Sequence, residues 1–310
     1  PQLGGHLRMH PEDFPASASH QGKPGFQTAR DLARDVAKNP RITILNPASA
    51  VGGYEGGLLG VTMGQQFIHV RASQLVVATG CYEYPNLFQN NDLPGIMLGG
   101  GVRKLLNLYG VKPGNNAVVV AADEEGLGLA LELTRADINV TAVIDERPHA
   151  NGSAAAAELK RLHIPHLLSS VPVAAQGRKR IQSLSVAPVA EGISPKFDEP
   201  KTFDCDLVCL ASNRAPSLEL LRQNGGTVRF DAALNQMIPD ALPPNIHVAG
   251  ALTGFQDLSI HLMQGRIAGL KAADCIQPLE STRSDELKKL QAQVKEEQDR
   301  YRAARTPRHF

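Results

Sequence analysis

The stretch from Ala117 to Ile144 constrains this chain more than any other. Ala117–Ala121 (AVVVA) is a short, continuously apolar, β-branched run of the kind that forms a strand buried on both faces. Glu125–Arg135 follows with apolar residues at helical spacing, and Val140–Ile144 is a second such strand. Strand, amphipathic helix and strand in about thirty residues make a βαβ unit, which demands a parallel sheet covered by helices. Two further apolar runs, Leu75–Thr79 (LVVAT) and Ile246–Ala249 (IHVA), predict buried parallel strands far from this unit in the chain. With 310 residues the chain exceeds what one hydrophobic core serves, so two α/β domains are expected.

The flanking patterns fill in the rest. A helix is predicted over Gln27–Lys38, with Leu32, Ala33 and Val36 on its packing face, then a strand over Arg41–Leu45. The run ASAVGGYEGG has the glycines of a phosphate loop, but strands follow Gly52, Gly53, Gly56 and Gly57, which favours a hairpin. Leu58–Met63 and Gln66–Val70 alternate as the next strands of a β-meander. Asn90–Gly101 reads as a crossover and Gly101–Tyr109 as a helix. After the βαβ unit come a helix over Ser153–Leu162 and strands at His166–Leu168, Ile181–Pro188 and Leu207–Ala211. Ser212–Phe230 crosses back. Leu258–Ile276 is a helix in which Gly265 and Gly269 would allow close packing. Ser284–Ala304 is a charged helix with Asp285 and Glu286 in its first turn and a narrow stripe of Leu287, Leu290 and Val294. The expected division is a domain of residues 1–92 and 216–278, an inserted domain of 93–215, and a helical tail of 279–310.

Charge and cysteine usage exclude several classes. Thirty-two basic residues against 31 acidic give a net charge of +1, so no global field draws in nucleic acid or an anionic membrane. No apolar stretch approaches the roughly 20 residues of a membrane span. The 4 cysteines (Cys81, Cys205, Cys209 and Cys275) contain no C-x-x-C pair, which removes zinc ribbons, thioredoxin-type centres and cysteine-ligated clusters. Cys205 and Cys209 are expected to face one side of a strand as small core residues, and a reducing, cytoplasmic compartment fits. Cys81 is expected to be a small buried residue, His261 to have a surface or packing role, and His163 and His166 to be solvent-exposed beside Pro165. No Ser/His/Asp order and no paired carboxylates stand out, so no catalytic residue and no metal site is assigned.

Three glycine elements together point instead to a bound ligand. They are Gly4-Gly5, the turn Ala78-Thr79-Gly80 at the end of one buried strand, and Gly250 with Gly254 at the end of another. Strand-end glycines let the backbone approach a ligand closely, and ligands of open α/β sheets sit at the carboxyl ends of strands. In the βαβ unit, Asp123, Glu124 and Glu125 occupy the helix start. They suit the helix dipole, but a carboxylate about 6 Å from a pyrophosphate costs roughly 3 kcal/mol at an effective dielectric of ~20. Gly126 keeps the glycine that helix–strand packing needs, and Asp145 or Glu146 ends the next strand where a ribose-binding acid belongs.

The run LVVATGCYEYPNLFQNNDLPGIMLGGGVRKLLNLYGVKPGNNAVVVAADEEG resembles the α subunit of heterotetrameric sarcosine oxidase. It is similar also to the flavoprotein subunits of dye-linked amino-acid and opine dehydrogenases and of cyanide-forming glycine dehydrogenase. The pieces that carry the resemblance are A-T-G-x-x-x-x-P (Ala78–Pro85), L-P-G (Leu93–Gly95) and Y-G-V-x-P-G (Tyr109–Gly114). It implies an FAD domain interrupted by an NAD-type domain, both Rossmann-like, over roughly Pro1–Ile276. It implies that Gly4 and Gly5 line the FAD pyrophosphate, that Ala50 meets the adenine, that Ala78, Thr79 and Gly80 meet the middle of the cofactor, and that Gly250–Gly254 meet the flavin. FAD sites of this kind begin with a strand, a G-x-G-x-x-G turn and a helix, none of which stands between Pro1 and this run. The resemblance therefore implies an N-terminally truncated FAD site and poor FAD retention by this chain without a segment supplied from elsewhere. NAD at Asp123, Gly126 and Asp145 is possible. The implied role is an oxidoreductase subunit that relays electrons while a flavin amine-oxidase-like partner oxidises a secondary amine or amino acid. An NAD(P)H-dependent acceptor reductase and a cofactor-free docking subunit remain the alternatives.

Overall fold

A strand run with apolar residues on both faces needs neighbours at its edges and cover on its faces, and the partners each run finds define two units. In a computed structural model, residues 2–11, 22–150, 152–189 and 200–303 are described. Unit 1 comprises 1–8, 12–82 and 215–307; unit 2 comprises 9–11, 83–214 and 308–310.

Unit 1 opens with α1 (Gly25–Lys38) and an antiparallel meander of β1 (Ser49–Tyr54), β2 (Leu58–Met63) and β3 (Gln66–Arg71). The connection of the β1–β2 hairpin is Glu55–Gly57, while Gly52 and Gly53 lie within β1 opposite Gly60 and Leu59. β4 (Leu75–Val77) is the buried run of LVVAT, and β5 (Cys81–Glu83) leads out of the unit.

Unit 2 contains β6 (Ile96–Leu98), α2 (Gly99–Arg103) extended by a π-helical turn over Lys104–Leu108, and β7 (Asn116–Ala121). Next come α3 (Glu124–Arg135), β8 (Asn139–Asp145), α4 (Ala154–Arg161) and β9 (His166–Leu167). An antiparallel trio follows, β10 (Ser170–Gly177), β11 (Ile181–Pro188) and β12 (Lys201–Asp204), before β13 (Leu207–Ala211). The main sheet is parallel in the order β6-β13-β7-β8-β9. Alternate residues of its strands feed two cores. Val119, Val143, Leu207 and Cys209 pack with Leu127 and Leu133 of α3, whereas Val118, Val120, Ile144, Val208 and Leu210 pack with Leu184 and Val186 of β11. This is the Rossmann-like domain that the βαβ pattern predicts.

The chain returns to unit 1 through β14 (Arg214–Pro216), followed by α5 (Glu219–Gln223) and the hairpin β15 (Val228–Asp231) and β16 (Gln236–Pro239). β17 (Ile246–Val248) then pairs in parallel with β4, Val248 beside Val77. α6 (Leu258–Ile276) and α7 (Ser281–Ala303) complete the unit.

Several expectations need correcting. Cys205 and Cys209 do not share a face: Cys209 packs in the α3-side core and Cys205 in the other. The Asp206 carboxylate accepts the backbone N–H groups of Asn115 and Asn116 at 2.8 Å, turning the chain so that strand alternation begins only at Leu207. Arg41–Leu45 joins no ladder, and Ile42, Ile44 and Leu45 are exposed, as are Leu32 and Val36 on the expected packing face of α1. Among the described residues no strand lies beside that segment to pair with it. Gly265 and Gly269 face open space, so they serve no close packing. α7 begins at Ser281, which removes Asp285 and Glu286 from its first turn; Glu286 instead pairs with Arg266 of α6 at 2.7 Å. The short strands β5, β6, β12, β14, β15 and β16, and the eight-residue β10, escaped the sequence patterns.

Candidate cofactor site

The parallel pairing of β4 and β17 brings two turns to one sheet end. Gly80 lies three residues past Val77, and Gly250 two past Val248. Both have left-handed backbone, φ +75° and +80°, and a Cβ built on either meets nothing within 4 Å. A left-handed turn that faces open space at a strand's carboxyl end is a cradle that a side chain would fill. Local bonds fix each turn. The Thr79 hydroxyl donates to the Ser217 carbonyl at 2.7 Å, and the Ser217 N–H donates to the Gly80 carbonyl at 3.0 Å. On the other side, buried Gln264 of α6 accepts the Gly250 N–H through Oε1 at 3.0 Å.

Gln256 closes the same end. Its Oε1 lies 3.7 Å from the Cys81 Sγ, and its Nε2 is buried with no hydrogen-bond partner among the described residues. A buried amide donor without an acceptor costs about 1–3 kcal/mol, and such an orphan marks a place where an acceptor from a ligand belongs. Open glycines and an orphan donor together fit the edge of a planar ring that carries carbonyl and ring-nitrogen acceptors. Neither Gln256 nor Gln264 was singled out in the sequence; the signal was a polar residue, Gln264, at a core position of an apolar helix.

The other expected site residues of unit 1 scatter. Gly5 (φ +49°) also faces open space, but a Cβ on Gly4 would meet Ala29 of α1 at 2.9 Å, so Gly4 serves packing. Ala50 sits at an exposed position of β1 opposite Val61, and Ala78 is exposed. A Cβ on Gly254 would strike Ile238 at 2.6 Å, so that glycine also lets the loop pack closely. His261 packs, its Nε2 lying 2.7 Å from the Phe255 carbonyl, and Cys81 is half-buried.

Unit 2 treats its helix terminus differently. Asp123 caps α3, accepting the Gly126 N–H at 3.0 Å, while a Cβ on Gly126 would meet Ala121 at 2.7 Å. Arg214 pairs with Asp123 at 2.6 Å and with Glu125 at 3.1 Å. Arg103 donates to Glu125 at 2.6 Å and to Glu132 at 2.8 Å. Burial pushes the Glu125 carboxyl up, but Arg214 and Arg103 outweigh it and hold it below the usual carboxylate range. Asp145, fully buried at the end of β8, takes Arg147 at 2.8 Å and His166 at 2.9 Å. Burial pushes its carboxyl up too, and the hydrogen bonds from His166 and Arg147 outweigh burial and lower it. His166 is therefore a ligand of a buried acid and not the exposed residue expected; His163 is exposed. The terminus that would face a pyrophosphate is capped by the chain's own carboxylate, and these residues do not fit a pyridine nucleotide bound by its diphosphate at the α3 N-terminus.

The fold is that of an α/β protein with one Rossmann-like domain inserted into the sequence of another. Comparison with known proteins sharpens that class. No family model matches the sequence. Over 206 residues the chain is 39% identical to sarcosine oxidase subunit alpha of Corynebacterium sp. (strain P-1), a match covering 66% of this chain and 21% of that protein. The chain thus spans about a fifth of the length of that curated relative, and the resemblance carried by the Ala78–Pro85 and Tyr109–Gly114 motifs is shown. L-Proline dehydrogenase from P. horikoshii shares the fold at a TM-score of 0.64 and 19% identity, covering 92% of this chain and 51% of that one. T. acidophilum thioredoxin reductase shares it at a TM-score of 0.62 and 16% identity, covering 87% of this chain and 85% of that one.

Proposed function

We propose that the chain is the dinucleotide-binding part of a flavoprotein oxidoreductase subunit resembling sarcosine oxidase α, with FAD held in unit 1 and its flavin at the carboxyl ends of β4 and β17. The observation that carries this reading is the pair of open, left-handed glycines, Gly80 and Gly250, flanked by the orphan Gln256 amide. When bound, FAD supplies the two-electron redox chemistry. The chain's residues bind and orient it: Gly80 and Gly250 admit the ring against bare backbone, Gln256 donates to its edge, and Thr79 and Gln264 hold the two turns in shape.

Two parallel strands are too few to make a stable sheet, and Val76 of β4 is exposed, as are Phe26, Leu32 and Val36 on α1. The substrate class is a secondary amine or amino acid, oxidised on a flavin amine-oxidase-like partner subunit from which this chain relays electrons. The word "subunit" in the relative's name supports a hetero-oligomer. Four cysteines with no disulfide between them support a reducing, cytoplasmic setting, and no helix among the described residues is long and apolar enough to cross a membrane.

An NAD(P)H-dependent acceptor reductase would need a working diphosphate site in unit 2, and the capped α3 terminus argues against it; NAD at Asp123, Gly126 and Asp145 is accordingly not part of the mechanism. A cofactor-free docking subunit gives no reason for the open glycines. The deciding experiment is purification of the protein with its native partners, followed by flavin analysis. Stoichiometric FAD assigned to this polypeptide by cross-linking is expected. A colourless polypeptide in an otherwise active assembly would favour the docking role.

A further inference from the structure

We propose that the last turn of α7 clamps the Gly250–Asp257 loop, making Tyr301 and Arg302 positioning residues for the flavin end of the site; the proposal rests on the flavin reading above. The loop leaves β17, makes a 3-10 turn over Gly250–Thr253, reverses at left-handed Gly254 (φ +90°) and enters α6 at its cap, Asp257. Its backbone path decides where the Gly250 turn and the Gln256 amide stand, so whatever fixes that path fixes the cradle.

Three elements hold it. From α6, Gln264 accepts the Gly250 N–H and donates through Nε2 to the Thr253 hydroxyl at 2.9 Å, which itself donates to the Gly250 carbonyl at 2.8 Å. From β16, the Gln236 amide donates to the Gly254 carbonyl at 2.5 Å. From α7, the Tyr301 hydroxyl oxygen accepts the Gln256 N–H at 3.3 Å, and the Tyr301 ring meets the Phe255 ring edge-on at 5.5 Å between centroids. Arg302 lies over the other side of this contact, 4.9 Å from the Phe255 ring centroid. It also donates at 3.3 Å to buried Asp231, whose other oxygen accepts the Leu234 N–H. Val294, one turn and more up the helix, joins Phe255, Leu234, Ile238 and Ile260 in one apolar cluster. The α7 clamp therefore adds to Phe255, which α6 also holds through His261 Nε2 at its carbonyl, a ring contact and a cation, and it supplies the acceptor for the Gln256 N–H. Phe255 is 2% exposed, so its ring cannot shift without moving α7.

The test compares Tyr301→Phe and Arg302→Met with Arg302→Lys and with Arg300→Ala, a neighbour on α7 that pairs, among the described residues, with Glu296 and Glu297. Tyr301→Phe keeps the ring and removes the acceptor. Hydrogen exchange at Phe255–Asp257 is expected to accelerate about tenfold in Tyr301→Phe and Arg302→Met, with α6 unaffected. In the protein purified with its partners, flavin affinity is expected to fall about three- to tenfold with a shifted visible spectrum. Arg302→Lys, which keeps the charge toward Asp231, should recover part of both, and Arg300→Ala should change neither. Unchanged loop exchange in both variants overturns the clamp. Faster exchange with identical flavin affinity and spectrum overturns its role in positioning. A wild-type protein without flavin refutes the preceding flavin reading instead, and the exchange comparison then decides the clamp by itself.

Discussion

Replacing Arg103 by Met should destabilise unit 2 by about 3–5 kcal/mol, the range for breaking a buried ion pair from one side. The side chains of Arg103 and Glu132 are 4% and 2% exposed. Arg103 donates through Nε and Nη2 to Glu132, through Nη1 to the Glu125 carboxylate and through Nη2 to the Glu125 carbonyl. With Arg214, it balances Asp123, Glu125 and Glu132 to one net negative charge beside the α3 N-terminus, whose dipole carries about half a positive charge. Met fills the volume of the stem but leaves Glu132 with the Asn107 amide, 3.1 Å away, as its neutral donor. Thermal and urea denaturation followed by far-UV circular dichroism would read the loss, expected as a drop of roughly 10 °C in the unit 2 transition. The pair replacement Arg103→Met with Glu132→Leu should recover most of it, because no buried charge is then stranded on α3. A single Arg103→Met variant that loses less than about 1 kcal/mol would falsify the view that this network is what fills the helix terminus.

Two further outcomes follow from the same geometry. In the native protein a thiol reagent should modify exposed Cys275 quickly and half-buried Cys81 slowly. Cys205, whose thiol burial pushes up to about 12, and Cys209, pushed up further by complete burial, should react only on unfolding; early labelling of either would contradict the two-sided core. Asp145 is held ionised below its unfolded pKa of about 3.9, so its stabilising contribution is present above that value and fades as pH falls through the lowered native pKa. Asp145→Asn should therefore cost about 3 kcal/mol at neutral pH and flatten the acid limb of the stability curve; parallel limbs in the two proteins would remove Asp145 from the acid response.

What the sequence made legible followed from continuity of apolar character. β7 and β13 sit in continuous apolar runs and β8 in a nearly continuous one, and such runs form strands buried on both faces; β4 and β17 were found by the same signal, although Val76 of β4 is exposed and His247 interrupts β17. The glycines of Ala78-Thr79-Gly80 and Gly250 were legible because a strand-end glycine has few other uses. Long-range polar partnerships were not. Arg103 stands in GGGVRK, which reads as a helix surface, and its partner Glu132 lies 29 residues away on a helix face with no local signal. Cys205 misled because period-two reasoning assumes the strand has already begun. α7 misled in the same manner: its composition is that of a solvated helix, and only Val294, Tyr301 and Arg302 reach the core and the loop. Leu32 and Val36 of α1 are exposed although helical spacing assigns them a packing face, and Arg41–Leu45 joins no ladder although its apolar, β-branched run predicts a strand, because a local pattern does not supply the neighbour that either needs.

The central claim is that flavin rests against the bare turns after β4 and β17. The most direct measurement is an equilibrium flavin titration of the protein with its partners, comparing Gly250→Ala with Gly64→Ala. Both glycines are left-handed and open on space, so the backbone strain is matched, but of the two Gly250 alone stands at the proposed cradle. Gly250→Ala should lose at least about tenfold in flavin affinity while its circular dichroism matches wild type, and Gly64→Ala should bind flavin normally. Equal, undiminished affinity in the two variants would contradict the placement of the cofactor.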